Sequence, residues 1–200
     1  MNTRTKSALF ALILVLSCST QWLAAQSTYK VFASSSNSMK LSGTSTFHDW
    51  DMVSPTLMGD AQFGFDNTVD HQLNKLTALN FSLKAEDLKS DSKGLDDNAY
   101  EALKTESYER IFYTLTSANV SATATGKFNV KTVGDLTIAG AKREIEMDVI
   151  CETHADGSIT CVGSQDLIMS DYGVEPPSFM FGAMKTGDLI TLHFTIVYKN

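Results

Sequence analysis

Proline is scarce in this chain, three in 200 residues, and basic residues are outnumbered by acidic ones, 16 to 23. The formal net charge of −7 argues against nucleic acid or an anionic membrane surface as a partner, since both attract basic proteins. The four histidines, His48, His71, His154 and His193, stand far apart, and no C-x-x-C pair accompanies the three cysteines. Zinc needs three or four ligands at characteristic spacings, so no metal site is expected, nor a dithiol redox centre. No Gly-x-Ser-x-Gly elbow marks a nucleophile, and no catalytic residue is assigned. Beyond residue 16 no apolar stretch approaches the roughly 20 residues of a membrane-spanning helix. No repeat or low-complexity linker divides the chain, and its length suits one domain with a sizeable core.

The first 25 residues are a different matter. Arg4 and Lys6 precede an apolar run from Ala8 to Leu16, and small residues follow before Gln26. That order predicts a secretory signal peptide over 1–25, cut after Leu23-Ala24-Ala25, and a domain over 26–200 that is periplasmic or secreted. Val15-Leu16-Ser17-Cys18 faintly resembles a lipoprotein box, and lipidation at Cys18 is the alternative that would anchor the protein. Cleavage after Ala25 removes two positive charges and Cys18, leaving Cys151 and Cys161 as an even pair in an oxidising compartment. Between them Asp156-Gly157 signals a hairpin. A three-residue loop, Ala155 to Gly157, sets residue 151 opposite 161 and predicts a cross-strand disulfide, with two free thiols as the alternative.

Alternation of apolar and polar residues dominates the rest. In "REIEMDVI" Ile145, Met147 and Val149 share one face while Glu144, Glu146 and Asp148 share the other. Phe63 and Phe65, then Leu79, Phe81 and Leu83, then Phe128 and Val130, then Leu192, Phe194 and Ile196 repeat the pattern. About eight or nine strands are read this way, at 28–34, 37–44, 57–66, 76–85, 111–120, 127–138, 143–153, 158–168 and 188–198. The stretch at 94–107 breaks the period. Ala99, Ala102 and Leu103 fall at helical spacing there, behind a cap at Asp96 or Asp97. The fold class is therefore all-β and antiparallel with one short helix, as a barrel or a sandwich. An eight-stranded barrel can fill itself or hold one elongated ligand, and periodicity alone leaves a filled core open.

Two stretches invite a functional reading. "GTSTFHDWDM" gathers His48, Asp49, Trp50 and Asp51, but offers at most a fragment of a metal site. Its structural reading has Phe47 and Trp50 packing at a strand end, with the polar residues bonded around a turn before Pro55 and Trp50 available to a barrel mouth. "GVEPPSFMFGAMKTGD" crowds Phe179, Met180, Phe181 and Met184 into a loop. Such an apolar cluster is expected to tuck against the barrel as a plug or gate.

"GDLTIAGAKREIEMDV", Gly134 to Val149, resembles the YceI-like family of exported lipid-binding proteins. "MKLSGTSTFHDWDM", "LDDNAYEALKTESYERIFYTLTSANV" and "DYGVEPPSFMFGAMKTGDLITLHFTI" resemble its early strand pair, its helix with the next strand, and its closing segment, in that order. The resemblance implies an extended, lipocalin-like barrel of about eight strands whose apolar interior holds a polyisoprenoid or similar long-chain amphiphile. The family's Arg-Asp and His-Leu pairs around the helix are replaced here by Gly94-Leu95-Asp96-Asp97 and Glu109-Arg110, which affects any headgroup contact more than the interior.

The resulting expectation is a non-enzymatic binding protein without a cofactor. Its cavity is to be lined by Phe63, Phe65, Leu79, Phe81, Phe128, Val130, Ile145, Met147, Val149, Phe179, Phe181, Leu192, Phe194 and Ile196. A structural or interaction module with a filled core, and an enzyme acting on a small apolar substrate, are the alternatives.

Overall fold

The computed structural model describes residues 27–66, 72–179 and 184–200. Eleven strands and one α-helix follow in order: β1 (Ser27–Val31), β2 (Ser38–Ser45), β3 (Trp50–Ser54), β4 (Met58–Asp66), β5 (Gln72–Lys84), α1 (Lys93–Leu103), β6 (Arg110–Ala124), β7 (Lys127–Ile138), β8 (Ala141–Thr153), β9 (Ile159–Ile168), β10 (Ser178–Phe179) and β11 (Met184–Lys199). Their pairings are antiparallel. Neighbours run β1-β4-β5-β6-β7-β8-β9-β11, and β11 then pairs with β1, at Lys30↔Lys199 and Val31↔Tyr198, so the sheet closes into a barrel. Closure leaves these strands without a free edge, and each then needs only one apolar face.

One long strand makes this closure possible. Between Thr186 and Thr195, β11 pairs with β2 instead of β1, and β2 turns back into β3. Val53 of β3 exchanges backbone hydrogen bonds with Lys89, at 2.8 and 3.0 Å, beyond the end of β5. The break between β1 and β2 is stitched by the buried Asn37, whose amide donates to Phe32 O at 2.8 Å and whose carbonyl accepts from Val197 N at 2.9 Å.

The expected strands are present, with an addition and a shift. β3 occupies part of the stretch read as a turn: Trp50, Met52 and Ser54 alternate inward with Asp51 and Val53, a short period-two run hidden by the polar residues before it. Phe47 does not pack at a strand end, as expected, but is 68% exposed in the turn. The helix begins at Lys93, capped by Ser92, whose hydroxyl accepts from Leu95 N, and not by Asp96 or Asp97. Asp96 is instead buried and accepts from the amide and hydroxyl of Ser90, at 2.8 and 2.7 Å, which fastens the incoming loop to the helix. Tyr100 adds a second tie, its hydroxyl donating to Leu88 O at 2.6 Å.

Gly157 takes the left-handed conformation, φ 80°, in the β8–β9 hairpin, as the turn chemistry required. His154 N donates to Ser158 O, and Gly157 N to His154 O, both at 2.9 Å. At this end of the barrel Phe63, Phe128, Ile159 and Tyr198 are almost wholly buried, and Phe63 meets Tyr29 and Tyr198 edge-on at centroid distances of 5.3 and 5.7 Å. They form a floor. The helix and the segment from Met169 to Phe179 lie at the opposite end.

Candidate functional site

Above that floor the barrel is not filled. A cavity of about 550 Å³ runs up its axis, within the range of small-molecule sites. Its depth is set by alternation along each strand. Val130, Leu136 and Ile138 come from β7; Ile145, Met147, Val149 and Cys151 from β8; Ile190, Leu192, Phe194 and Ile196 from β11. The cavity stops where Phe128, Ile159 and Tyr198 close the barrel, for these three are buried but do not line it.

The other end reaches the surface. Its lining includes the exposed residues Thr46, Phe47, His48, Ser92, Gly94 and Lys185, which belong to the β2–β3 turn, the start of α1 and the start of β11. The helix turns Leu95, Ala99, Ala102 and Leu103 toward the cavity, and Tyr172, Val174 and Pro177 complete the rim. Lys104, the left-handed cap of the helix, reaches Gly173 O at 3.4 Å and ties the two sides together. Trp50 stands at the mouth, its indole N–H donating to Thr44 O at 3.2 Å.

Among the residues expected to line the cavity, Phe63, Leu79, Phe81, Val130, Ile145, Met147, Val149, Leu192, Phe194 and Ile196 do so, with Trp50 at the rim. Two do not. Phe128 belongs to the floor, one step below Val130 on the same face of β7. Phe65 turns to Tyr29, ring centroids 6.1 Å apart, because the β4–β5 register shifts between Gly64 and Phe65. The backbone of Phe179 pairs with Met184 in the β10–β11 ribbon, and Phe181 lies outside the described residues.

Cys151 and Cys161 face each other across β8 and β9, both buried and both on the cavity wall, with Sγ atoms 2.7 Å apart and no bond between them. Burial and the neighbouring sulfur hold the Cys161 thiol well above its ordinary pKa, the pair's mutual hydrogen bond contributing most.

His48 is exposed, its Nδ1 2.8 Å from Asp49 O, while Asp51 pairs with Lys40 at 2.8 Å and accepts from Ser42 at 2.7 Å. These contacts are local. Among the described residues no three His, Cys, Asp or Glu side chains are grouped to hold a metal, and none of the cavity-lining ones is a carboxylate.

Two polar residues in the wall were not anticipated. Tyr113, from β6, and Thr132, from β7, both line the cavity and are both buried. Burial raises the pKa of the Tyr113 phenol, with the Thr132 hydroxyl pulling more weakly the other way. The phenol oxygen has no hydrogen-bond partner among the described residues, which costs about 1–3 kcal/mol for a buried hydroxyl. Period-two reading of "RIFYTL" puts Tyr113 on one face with Ile111 and Leu115, so the signal was present but looked like packing.

Comparison with known proteins bears on this cavity. The family model for the YceI-like domain matches residues 28–198. The chain belongs to the YceI-like family. Similar solved structures include BcnA of Burkholderia cenocepacia, with a TM-score of 0.63, 14% identity, 84% of this chain covered and 98% of that one. Another is a polyisoprenoid binding domain from Saccharophagus degradans implicated in plant cell wall breakdown, with a TM-score of 0.63, 11% identity and coverages of 88% and 99%. A third is the YCEI protein of Campylobacter jejuni, with a TM-score of 0.52, 17% identity and coverages of 71% and 81%. At these identities the likeness is one of fold. Comparison with curated protein sequences finds no match.

Proposed function

We propose that this YceI-like protein is an exported, non-enzymatic carrier that holds one long apolar chain, a polyisoprenoid or similar amphiphile, inside its barrel. The observation that carries this reading is the cavity itself, apolar along its depth and open beside α1. Burial of each CH₂ is worth about 0.8 kcal/mol, so a chain of prenyl or acyl length needs no strong polar anchor to be retained. A structural module with a filled core would have no use for such a volume. An enzyme would bring titratable groups together inside it, whereas the ionisable side chains at its lining are His48 and Lys185 at the mouth and tyrosines and cysteines deeper in. The Saccharophagus degradans relative, a polyisoprenoid binding domain by name, supports the choice of tail.

Export through the leader at 1–25, with cleavage near Ala25, is part of the same reading. So is a Cys151–Cys161 disulfide, formed once an oxidant of the exported compartment takes two electrons and the two thiol protons leave.

Purification from the native host under gentle conditions, followed by native mass spectrometry and lipid extraction, tests the carrier reading. A stoichiometric amphiphile is expected. A clean apoprotein mass that does not change after incubation with prenyl and acyl lipids overturns it.

A further inference from the structure

Along the inward face of β7 the side chains run Phe128, Val130, Thr132, Gly134, Leu136 and Ile138, large residues at both ends and a small polar gap in the middle. The ring of Tyr113 leans into that gap from β6. A β-carbon on Gly134 would stand 2.5 Å from the phenol oxygen, so only glycine lets the ring lie there. The oxygen is buried and unpartnered among the described residues. Thr132 is its polar neighbour on this face, but the Thr132 hydroxyl already donates to Met147 O at 3.4 Å and has only lone pairs left to offer. The wall of an otherwise apolar cavity thus keeps one hydroxyl donor and one acceptor side by side and uncommitted to each other.

We propose that these two hydroxyls recognise an uncharged oxygen on the bound chain, so that the carrier selects an oxygenated prenyl or acyl chain over a plain hydrocarbon. This rests on the carrier reading and names the chemical class of its ligand. A carbonyl oxygen accepts from Tyr113; a hydroxyl accepts from Tyr113 and donates to Thr132. A phosphate or carboxylate does not suit this depth, because no cationic residue lines the wall beside it and an ion there would lose its water without gaining a partner. A hydrocarbon leaves the phenol unpaired. Sites built around a hydrogen bond reject ligands that lack the matching group for that reason.

The experiment uses the full mature chain and two pairs of probes supplied together at equal concentration from phosphatidylcholine vesicles. In one, geranylgeraniol competes with the C20 hydrocarbon that lacks its hydroxyl; in the other, geranylgeranylacetone competes with the corresponding hydrocarbon. Bound ratios are read by native mass spectrometry. The wild type is expected to prefer each oxygenated probe by roughly five- to tenfold more than Tyr113→Phe does, the change expected from one hydrogen bond. Thr132→Val is expected to weaken the preference for the alcohol and spare that for the ketone, which has no proton to donate. In the empty protein Tyr113→Phe is expected to melt no lower than wild type, since it removes an unpaired hydroxyl. Equal ratios in wild type and Tyr113→Phe, with probes bound, would overturn the proposal, as would a lower melting temperature for empty Tyr113→Phe. Failure of every probe to bind folded wild type would overturn the carrier reading itself.

Discussion

The indole of Trp50 lies on Gly43, its cross-strand partner at the mouth of the cavity: a β-carbon on Gly43 would stand 2.3 Å from the ring. The glycine is therefore what allows the tryptophan to lie against β2 at the rim. Gly43→Ala is expected to push the indole out, break its bond to Thr44 and destabilise the protein by about 1–3 kcal/mol, the usual range for overpacking. Once the leader with Trp22 is removed, Trp50 is the only tryptophan, and its emission reports directly on the mouth. A changed emission maximum in Gly43→Ala, and a response of the wild-type emission to added lipid, are the expected results. An unaltered spectrum in both cases would place the ligand's path elsewhere.

Ile145 and Leu192 are only partly buried, because they border empty space and not another side chain. Ile145→Trp and Leu192→Trp should occupy that space. Lipid occupancy is expected to fall at least tenfold, while stability changes by less than about 1.5 kcal/mol, since the added volume has somewhere to go. Phe194→Asp should behave differently, for its ring packs on Gly163, where a β-carbon would stand 2.4 Å away, and a buried carboxylate there prevents folding. His48→Ala should alter neither property. Stoichiometric lipid in both tryptophan variants would show that the cavity is not the binding site.

The barrel was legible because its strands are long and each has one wet face. β7 and β8 announce themselves through Phe128 to Ile138 and Ile145 to Val149, and the Asp156-Gly157 turn fixes their neighbour. The cavity was legible only as a choice between two interiors. Alternation says which side chains point in, but whether they meet depends on strand number and tilt, which are properties of the closed sheet. The same limit explains Phe65 and Phe128, whose inward periodicity matches that of true lining residues. The helix cap was misplaced because Asp96 serves the preceding loop through Ser90, a contact six residues back that capping rules do not address. Thr132 and Tyr113 escaped because a polar atom in a strand's apolar face declares itself only once its missing partner can be seen.

The register of the β8–β9 hairpin bears on its cysteines. Because His154 N bonds to Ser158 O, the pairs at 153/159 and 151/161 are the non-hydrogen-bonded kind, in which the β-carbons approach most closely and a cross-strand disulfide fits best. Thiol titration of the exported, unfolded protein is expected to find no free thiol without reductant and two with it. Cys151→Ala should lower the midpoint of denaturation and leave Cys161 titratable only after unfolding, since that thiol is buried. Two free thiols in the untreated protein would assign the pair to packing alone.

Asp156 holds the far end of the same hairpin. Its carboxylate accepts from the Ser158 hydroxyl at 2.6 Å and the Ser158 amide at 3.0 Å, and meets Lys199 at 3.2 Å, which together hold its pKa well below the ordinary carboxylate range. A carboxylate whose folded pKa is depressed stabilises the fold fully above its unfolded pKa of about 3.9 and loses that contribution as the pH falls through the folded value. Asp156→Ala is therefore expected to melt below wild type at neutral pH, with the gap closing as the pH drops below about 4. Added salt should reduce only the Lys199 share, because the group is exposed and its bonds to Ser158 are short-ranged. A melting-temperature gap that stays constant from neutral pH down to about pH 2 would show that Asp156 acts through the shape of the turn and not through its charge.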